Sequence, residues 1–208
     1  MEIMQSILLA ACAFMLGACP FSLWIGRWFL HKDIREYGDG NPGTVNVFLA
    51  GGRKSGVIAL LLDVGKGFPF VFAAHSVFHL PYVAVVAVGI CAILGHAFSP
   101  VLKLQGGKAV AVTFGVLMAL PAYQPLLSLA LLTFLAFILI DNDAWTVIAG
   151  AVSSFVYLLI SRGNTWETQI SLFIAILFVI KFFRELQTVP RPMRLVRWFQ
   201  RNRRNPAG

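Results

Sequence analysis

Long apolar runs alternate with short polar connections along the chain. Because a helix needs about 17 to 25 residues to cross a bilayer, the pattern predicts about seven spans, at 4–30, 56–75, 77–95, 109–123, 125–140, 144–160 and 168–187. No basic residue precedes the first run, which favours a retained span over a signal peptide. Several runs are short or interrupted by proline or charge, and such helices are tolerated where they line a cavity. We therefore predict an all-α integral membrane protein with a polar pocket near one membrane face.

Composition narrows the class of protein. Of the 208 residues, 58% are hydrophobic and only 12% are charged, whereas soluble domains carry roughly 25% charged residues. This excludes an ordinary soluble fold. The net charge of +8 would suggest a nucleic-acid partner in a soluble chain, but in a membrane protein basic residues set orientation and bind lipid headgroups.

The basic residues fall almost entirely on one side of the membrane when the connections between spans are placed alternately on its two sides. One side receives nearly all of them and the other receives only Arg162. The positive-inside rule then predicts an N-terminus outside the cell and a cytoplasmic C-terminus. Two glycine-rich loops, near 38–46 and 103–108, consequently face the cytoplasm, where soluble phosphorylated metabolites occur.

The C-terminal end has a different pattern. Four arginines recur at steps of three and four, with apolar residues on another side: Arg194, Arg197, Arg201 and Arg204. This spacing is typical of an interfacial helix on an anionic leaflet. Nucleic-acid binding is the less favoured alternative, since no other part of the chain supports it. We predict a membrane domain at 1–189 and a basic amphipathic cytoplasmic tail at 190–208 that contacts anionic lipids.

The first glycine-rich loop contains three glycines and two asparagines between positions 38 and 46. Glycines let backbone amides approach an anion, and asparagines offer donors that do not depend on pH. The candidate phosphate ligands in and after this loop are Gly40, Asn41, Gly43, Asn46 and Arg53. A plain turn is the alternative for the loop, and a topology signal is the alternative for Arg53.

The second loop runs from His96 to Gly106, Gly107 and Lys108, immediately before an apolar helix. Exposed amides, the positive end of a helix dipole and a lysine together predict a seat for a phosphate or an oxyanion. The motif is not a P-loop, because Ala109 stands where that motif has Ser or Thr. His96 is either a general base or a hydrogen-bonded structural histidine.

Two charged residues lie inside the second predicted span. Asp63 and Lys66 are three positions apart, which places them on one helical face where they can pair. Charges at membrane depth are costly, so a functional role is the default and a buried structural ion pair is the alternative. We predict that Lys66 binds phosphate and leave both roles open for Asp63.

Three segments resemble the bacterial acyl-phosphate:glycerol-3-phosphate acyltransferases, the PlsY family. They are Gly38-x-Gly40-Asn41-x-Gly43-x-x-Asn46-Val47, Leu62-Asp63-x-x-Lys66-Gly67, and Gly95-His96-x-Phe98 leading to Gly106-Gly107-Lys108. The resemblance covers about residues 20–120. It implies transfer of a fatty acyl group from acyl phosphate to the 1-hydroxyl of glycerol 3-phosphate, which yields lysophosphatidic acid, with no metal or other cofactor. It also implies a bacterial cytoplasmic membrane protein.

The same resemblance implies roles for individual residues. His96, Lys108 and Asn46 would be catalytic, and the residues that bind substrate or phosphate would be Gly40, Asn41, Gly43, Arg53, Lys66, Gly106 and Gly107. The chain departs from the family pattern at Asp39, Leu49, Ala109, Phe182 and Glu185. A carboxylate repels a phosphate dianion. Asp39 in place of a serine and Glu185 in place of an asparagine therefore predict weaker binding of glycerol 3-phosphate, unless Arg53 or Arg184 compensates.

Two further hypotheses follow from these departures. The chain is either a relative that acylates a different acceptor, in which Asp39 meets a neutral or cationic hydroxyl compound, or a non-catalytic membrane protein that binds acyl phosphate. A transporter is the least favoured class, because no inverted repeat is visible in the sequence.

Overall fold

The computed structural model describes residues 1–187. In this range the chain forms ten α-helices: α1 (Glu2–Ala18), α2 (Phe21–Phe29), α3 (Thr44–Leu49), α4 (Arg53–Gly65), α5 (Pro69–Phe72), α6 (Tyr82–Ala97), α7 (Val110–Ala119), α8 (Gln124–Leu139), α9 (Asp143–Arg162) and α10 (Trp166–Lys181). A π-helical turn follows α5, and three short 3-10 turns lie elsewhere. Each of the seven apolar runs contains a helix, so the all-α prediction is confirmed.

Four helical stretches are long and apolar enough to cross a membrane: Glu2–Phe29, Arg53–Val77, Tyr82–Leu102 and Asp143–Arg162. Helices α7 and α8 are apolar but shorter, with 10 and 16 residues. The predicted amphipathic tail at 190–208 lies outside the described residues.

The chain divides into two compact units, Met1–Tyr123 and Gln124–Gly208, of which the second is described as far as Gln187. Within the second unit, α8 and α9 meet through small and polar side chains. The Ser128 and Ser154 hydroxyls hydrogen-bond at 2.7 Å, and Gly150 leaves room for Thr133. Small residues at such contacts let helix backbones approach closely.

In the first unit, α1 and α6 pack against each other through glycines. A side chain at Gly17 would collide with the carbonyl of Ala92, and one at Gly95 would collide with the carbonyl of Phe14. The helices therefore approach backbone to backbone, as membrane helices do at small residues. This contact fixes the end of α6, where His96 lies.

The first apolar run, predicted as one span at 4–30, is divided in the structure between α1 and α2. Proline has no N–H for a helical hydrogen bond, and α1 ends just before Pro20, with Cys19 in an extended conformation. The last carbonyls of α1 need other donors. Ser99 Oγ donates to the Ala18 carbonyl at 2.6 Å, and Lys66 Nζ donates to the Cys19 carbonyl at 2.8 Å.

A small apolar core underlies the first glycine-rich loop. Its buried members are Leu23, Ile25, Ile34, Val47, Ala50 and Ala59. Ile34 precedes the loop and Val47 follows it, while Ala59 belongs to α4. Burial of these side chains therefore ties both ends of the loop to α2 and α4.

Candidate active site

The two glycine-rich loops meet in the first unit. Lys108 Nζ lies 2.5 Å from Asp39 Oδ2, although the two residues are 69 positions apart. This contact brings residues of the first loop and of the second loop into one cluster. We call the cluster the two-loop site and define it as Asp39, Asn41, Asn46, His96, Gly107 and Lys108.

Asp39 organises the first loop from within. Its Oδ1 accepts hydrogen bonds from the backbone N–H of Asn41 at 3.0 Å and from Asn46 Nδ2 at 3.1 Å. Asn46 Nδ2 also donates to the Asn41 carbonyl at 2.8 Å. Because an amide nitrogen carries two hydrogens, both donors of Asn46 are engaged inside the loop.

Glycines make this loop geometry possible. Gly38 has φ +58° and Gly40 has φ +74°, a region that side chains disfavour. A Cβ at Gly38 would also collide with Asn46 Oδ1. Asn46 is only 2% exposed, so the glycine allows its amide to lie against the loop backbone.

The Asp39 carboxylate is charged at neutral pH. Partial burial alone would raise its pKa, but hydrogen bonds from Lys108, the Asn41 amide and Asn46 hold the pKa of Asp39 below its ordinary value. Lys108 is therefore the cation that compensates Asp39. Arg53, one of the two candidates for that role, is exposed at the start of α4, and no hydrogen bond or ion pair between it and the two-loop site is seen in residues 1–187.

His96 lies in the last turn of α6 and is 8% exposed. The Gly107 N–H donates to the His96 carbonyl at 3.1 Å. A Cβ at Gly107 would overlap Nε2 of the His96 ring, and a Cβ at Gly106 would overlap the His96 carbonyl. The paired glycines therefore let the second loop cross the end of α6 in direct contact with the imidazole.

A buried ion pair lies within the same unit. Lys66 Nζ is 2.8 Å from Asp63 Oδ1, and the two side chains are only 1% and 2% exposed. Asp63 Oδ2 accepts from Ser22 Oγ at 2.5 Å and from Thr44 Oγ1 at 3.1 Å. The pair thus joins α2, α3 and α4, in addition to the Lys66 contact with the end of α1. This is the arrangement of a structural ion pair, and phosphate binding by Lys66 stays a prediction.

The positions that depart from the family pattern have distinct environments. Ala109 precedes α7 with φ +64° and is 1% exposed, which is a backbone conformation that favours glycine. Leu49 ends α3, is exposed and lies beside Gly38. In the second unit, Phe182 is buried at the end of α10 and Glu185 begins a 3-10 turn.

Sequence reasoning missed the pairing of Asp39 with Lys108. No local spacing connects residues so distant, and the only signal was the placement of both loops on one predicted side of the membrane. As for metals, no group of three or more His, Cys, Asp or Glu suited to holding an ion occurs in the part of the chain that the structure describes.

Comparisons with known proteins agree on one family. A family model described as glycerol-3-phosphate acyltransferase matches residues 7–191. Proteins of that name are similar to this chain, with 38% identity in Listeria welshimeri, over 74% of this chain and 77% of the relative, and 35% identity in Lactococcus lactis, over 84% and 82%. An Enterococcus faecalis protein of the same name is 39% identical, but the match spans 59% of this chain and only 54% of the relative.

Solved structures agree with the sequence comparisons. A crystal structure of PlsY (YgiH), an integral membrane glycerol 3-phosphate acyltransferase in its glycerol 3-phosphate form, superposes with a TM-score of 0.77 at 26% identity. The superposition covers 88% of this chain and 90% of the chain in the crystal structure. Together with the apolar helices, this confirms an integral membrane protein. The chain belongs to the glycerol-3-phosphate acyltransferase family.

Proposed function

We propose that this protein transfers a fatty acyl group from acyl phosphate to the 1-hydroxyl of glycerol 3-phosphate, which yields lysophosphatidic acid for phospholipid synthesis. The observation that carries the proposal is the meeting of the two glycine-rich loops at Lys108 and Asp39. Family membership favours this reaction over a non-catalytic role or a different acceptor.

The chemistry needs little covalent participation by the protein. The hydroxyl oxygen attacks the acyl carbonyl carbon, the new ester bond forms, and the bond from that carbon to the phosphate oxygen breaks. Phosphate leaves with the electron pair. Because phosphate is a good leaving group, the protein has to orient the two substrates and stabilise the charge that develops on oxygen.

Lys108 and the loop backbone at Gly106 are the proposed site for phosphate oxygens, and Gly107, whose N–H donates to the His96 carbonyl, is proposed to hold this loop in place beside the phosphate. Lys108 stands two positions before α7, so its ammonium is close to the positive end of that helix dipole. Asn41 and Asn46 line the opposing loop, and their amide groups are the proposed ligands for the remaining oxygens. The proposed role of Lys66 and Arg53 is electrostatic support for bound anions.

His96 is the proposed general base that takes the proton from the acceptor hydroxyl. Its ring lies in van der Waals reach of the Gly107 backbone, beside the lysine that faces phosphate. A base within hydrogen-bonding reach of the hydroxyl contributes typically 10²- to 10⁴-fold to such reactions.

The contact between Gly107 and His96 gives a specific prediction. Gly107→Ala places a methyl group against the imidazole tip, so the ring has to move, and we expect a rate loss of about 10²-fold with the fold retained. Gly106→Ala meets backbone atoms of α6 and should lower the melting temperature instead. Acyl-transfer rates and thermal unfolding of the purified variants check both expectations. Gly65→Ala, whose Cβ has nothing within 4 Å, is the control. Equal, unchanged rates in Gly107→Ala and Gly65→Ala would contradict the role of His96.

Rescue of a bacterial strain that lacks its own glycerol-3-phosphate acyltransferase tests the proposed function in cells. The wild-type gene should restore growth, and the His96→Ala gene should not, provided that both proteins reach the membrane in equal amounts. Absence of rescue by the wild-type gene would count against the proposal. Rescue by both genes would exclude an essential role for His96 while leaving the acyltransferase activity in place.

The proposal includes seven spans in the cytoplasmic membrane of a bacterium, with the N-terminus outside and the active-site loops facing the cytoplasm. The distribution of basic residues supports this orientation. A reporter that is active only in the cytoplasm should work when fused to the C-terminus and fail when inserted near Arg162. The reverse pattern would overturn the orientation.

The tail at 190–208 is proposed to bind anionic lipid headgroups through its arginines. Each basic residue near an anionic surface contributes about 1 kcal/mol. A peptide with this sequence should bind phosphatidylglycerol vesicles and not phosphatidylcholine vesicles. Equal binding to both would exclude the electrostatic role.

A further inference from the structure

Asp39 contacts the two groups that the proposed function assigns to substrate anions. Its Oδ2 pairs with the Lys108 ammonium, and its Oδ1 accepts one hydrogen of the Asn46 amide. The second amide hydrogen of Asn46 goes to the Asn41 carbonyl. A carboxylate of the protein therefore has the contacts that a phosphate or an oxyanion would need.

We propose that Asp39 is an internal counter-ion for Lys108, which a substrate phosphate has to displace before it can pair with the ammonium. The inference rests on the proposed function for the identity of the anion. In this role Asp39 determines how tightly the site binds an anion. Asp39 is thus a positioning residue and does not take part in the reaction.

Exposure makes such an exchange possible. The Lys108 and Asp39 side chains are 17% and 37% exposed, whereas those of the buried pair Lys66 and Asp63 are 1% and 2% exposed. Water and solutes reach the first pair and not the second. A partly exposed ion pair is weak enough for an incoming dianion to compete with it.

The carboxylate does not leave the site when Lys108 turns to a ligand. The backbone N–H of Asn41 holds Asp39 Oδ1 in a short-range turn, so the negative charge stays close to the bound phosphate. Repulsion between the two anions then opposes binding. Removal of the charge should strengthen anion binding, and the gain should depend on Lys108.

Asp39→Asn isolates the charge, because asparagine has nearly the same shape and keeps an oxygen for the Asn41 N–H. We expect inorganic phosphate to bind about five- to tenfold more tightly to this variant. The KM for acyl phosphate, whose phosphate departs beside Lys108, should fall by a similar factor, while kcat does not rise. Asp39→Ser is a second variant with the same expected direction.

The chain offers a matched control in the same loop region. Asp33 is also an ionised carboxylate, since its hydrogen bond with Arg35 holds its pKa below the ordinary value. It pairs with Arg35 at 2.6 Å and with Arg27 at 3.3 Å. Asp33→Asn removes the same charge without touching Lys108, so phosphate affinity should change by less than about twofold, because salt screens distant charges.

The test is a calorimetric titration of the purified full-length protein in detergent with inorganic phosphate. Tighter binding in Asp39→Asn, little change in Asp33→Asn, and loss of the gain in Asp39→Asn/Lys108→Ala would support the counter-ion role. Equal or weaker binding in both Asp39 variants, or a gain that persists without Lys108, would overturn it. The titration involves no turnover, so a failure to form lysophosphatidic acid would sink the proposed function without deciding this outcome.

Discussion

Lys108→Ala should lower the rate of lysophosphatidic acid formation by about 10²- to 10³-fold, the usual cost of losing one preorganised group that stabilises charge in the transition state. The loss has two sources. The ammonium no longer faces the departing phosphate, and Asp39, its partner at 2.5 Å, is left as an uncompensated negative charge in the same place.

The measurement is the rate of product formation by purified protein, with Lys103→Ala as the control. Lys103 belongs to the same loop and is exposed, so its substitution removes an equal charge outside the two-loop site. We expect near wild-type rates for it. A rate in Lys108→Ala equal to that in Lys103→Ala would exclude the proposed role of Lys108.

Asp39→Ser/Lys108→Ala separates the two sources of the loss. If the uncompensated carboxylate contributes, the double variant should be faster than Lys108→Ala alone, although slower than the wild type. A double variant as slow as Lys108→Ala would assign the whole effect to the missing ammonium. Such non-additivity is expected for residues in direct contact.

Lys66→Met should lower the free energy of unfolding by about 3–5 kcal/mol, because removal of one partner leaves a buried charge without compensation. Asp63 would keep its hydrogen bonds from Ser22 and Thr44 and lose the ammonium at 2.8 Å. The Cys19 carbonyl would lose a donor as well. The link between α1, α2 and α4 should therefore weaken.

Unfolding of the detergent-solubilised variants by a denaturant measures this effect. Asp63→Asn/Lys66→Met should recover part of the stability, since the amide oxygen still accepts from both hydroxyls while no charge stays buried. Arg35→Met, which removes one partner of the more exposed Asp33, is the control and should cost no more than about 1 kcal/mol. Wild-type stability in Lys66→Met together with lost activity would instead favour a phosphate-binding Lys66.

The helical membrane fold follows from the sequence because apolar length is a strong local signal. The break between α1 and α2 was also marked there, by Pro20, but the apolar run around it continues and conceals it. Local sequence does not specify which donors bind the backbone carbonyls that the break leaves without a helical partner. The Cys19 carbonyl meets Lys66, which is 47 positions away, and only packing of the helices brings the two together.

The candidate site was predictable in its parts and not in its connections. Glycines and asparagines marked the first loop, and Gly106 to Lys108 marked the second, because anion seats need small residues and donors. The charge on Asp39 indicated a conflict with phosphate. Lys108 compensates that charge through a contact between residues 69 positions apart. A rule based on local spacing cannot predict a contact over such a distance in sequence.

Product formation by the purified protein tests the central claim most directly. The protein in detergent is supplied with a long-chain acyl phosphate and glycerol 3-phosphate, and the lipid products are identified by mass spectrometry, with glycerol in place of glycerol 3-phosphate as the control. The account predicts lysophosphatidic acid only when both substrates are present. No product, under conditions in which the Lactococcus lactis relative forms it, would contradict the account.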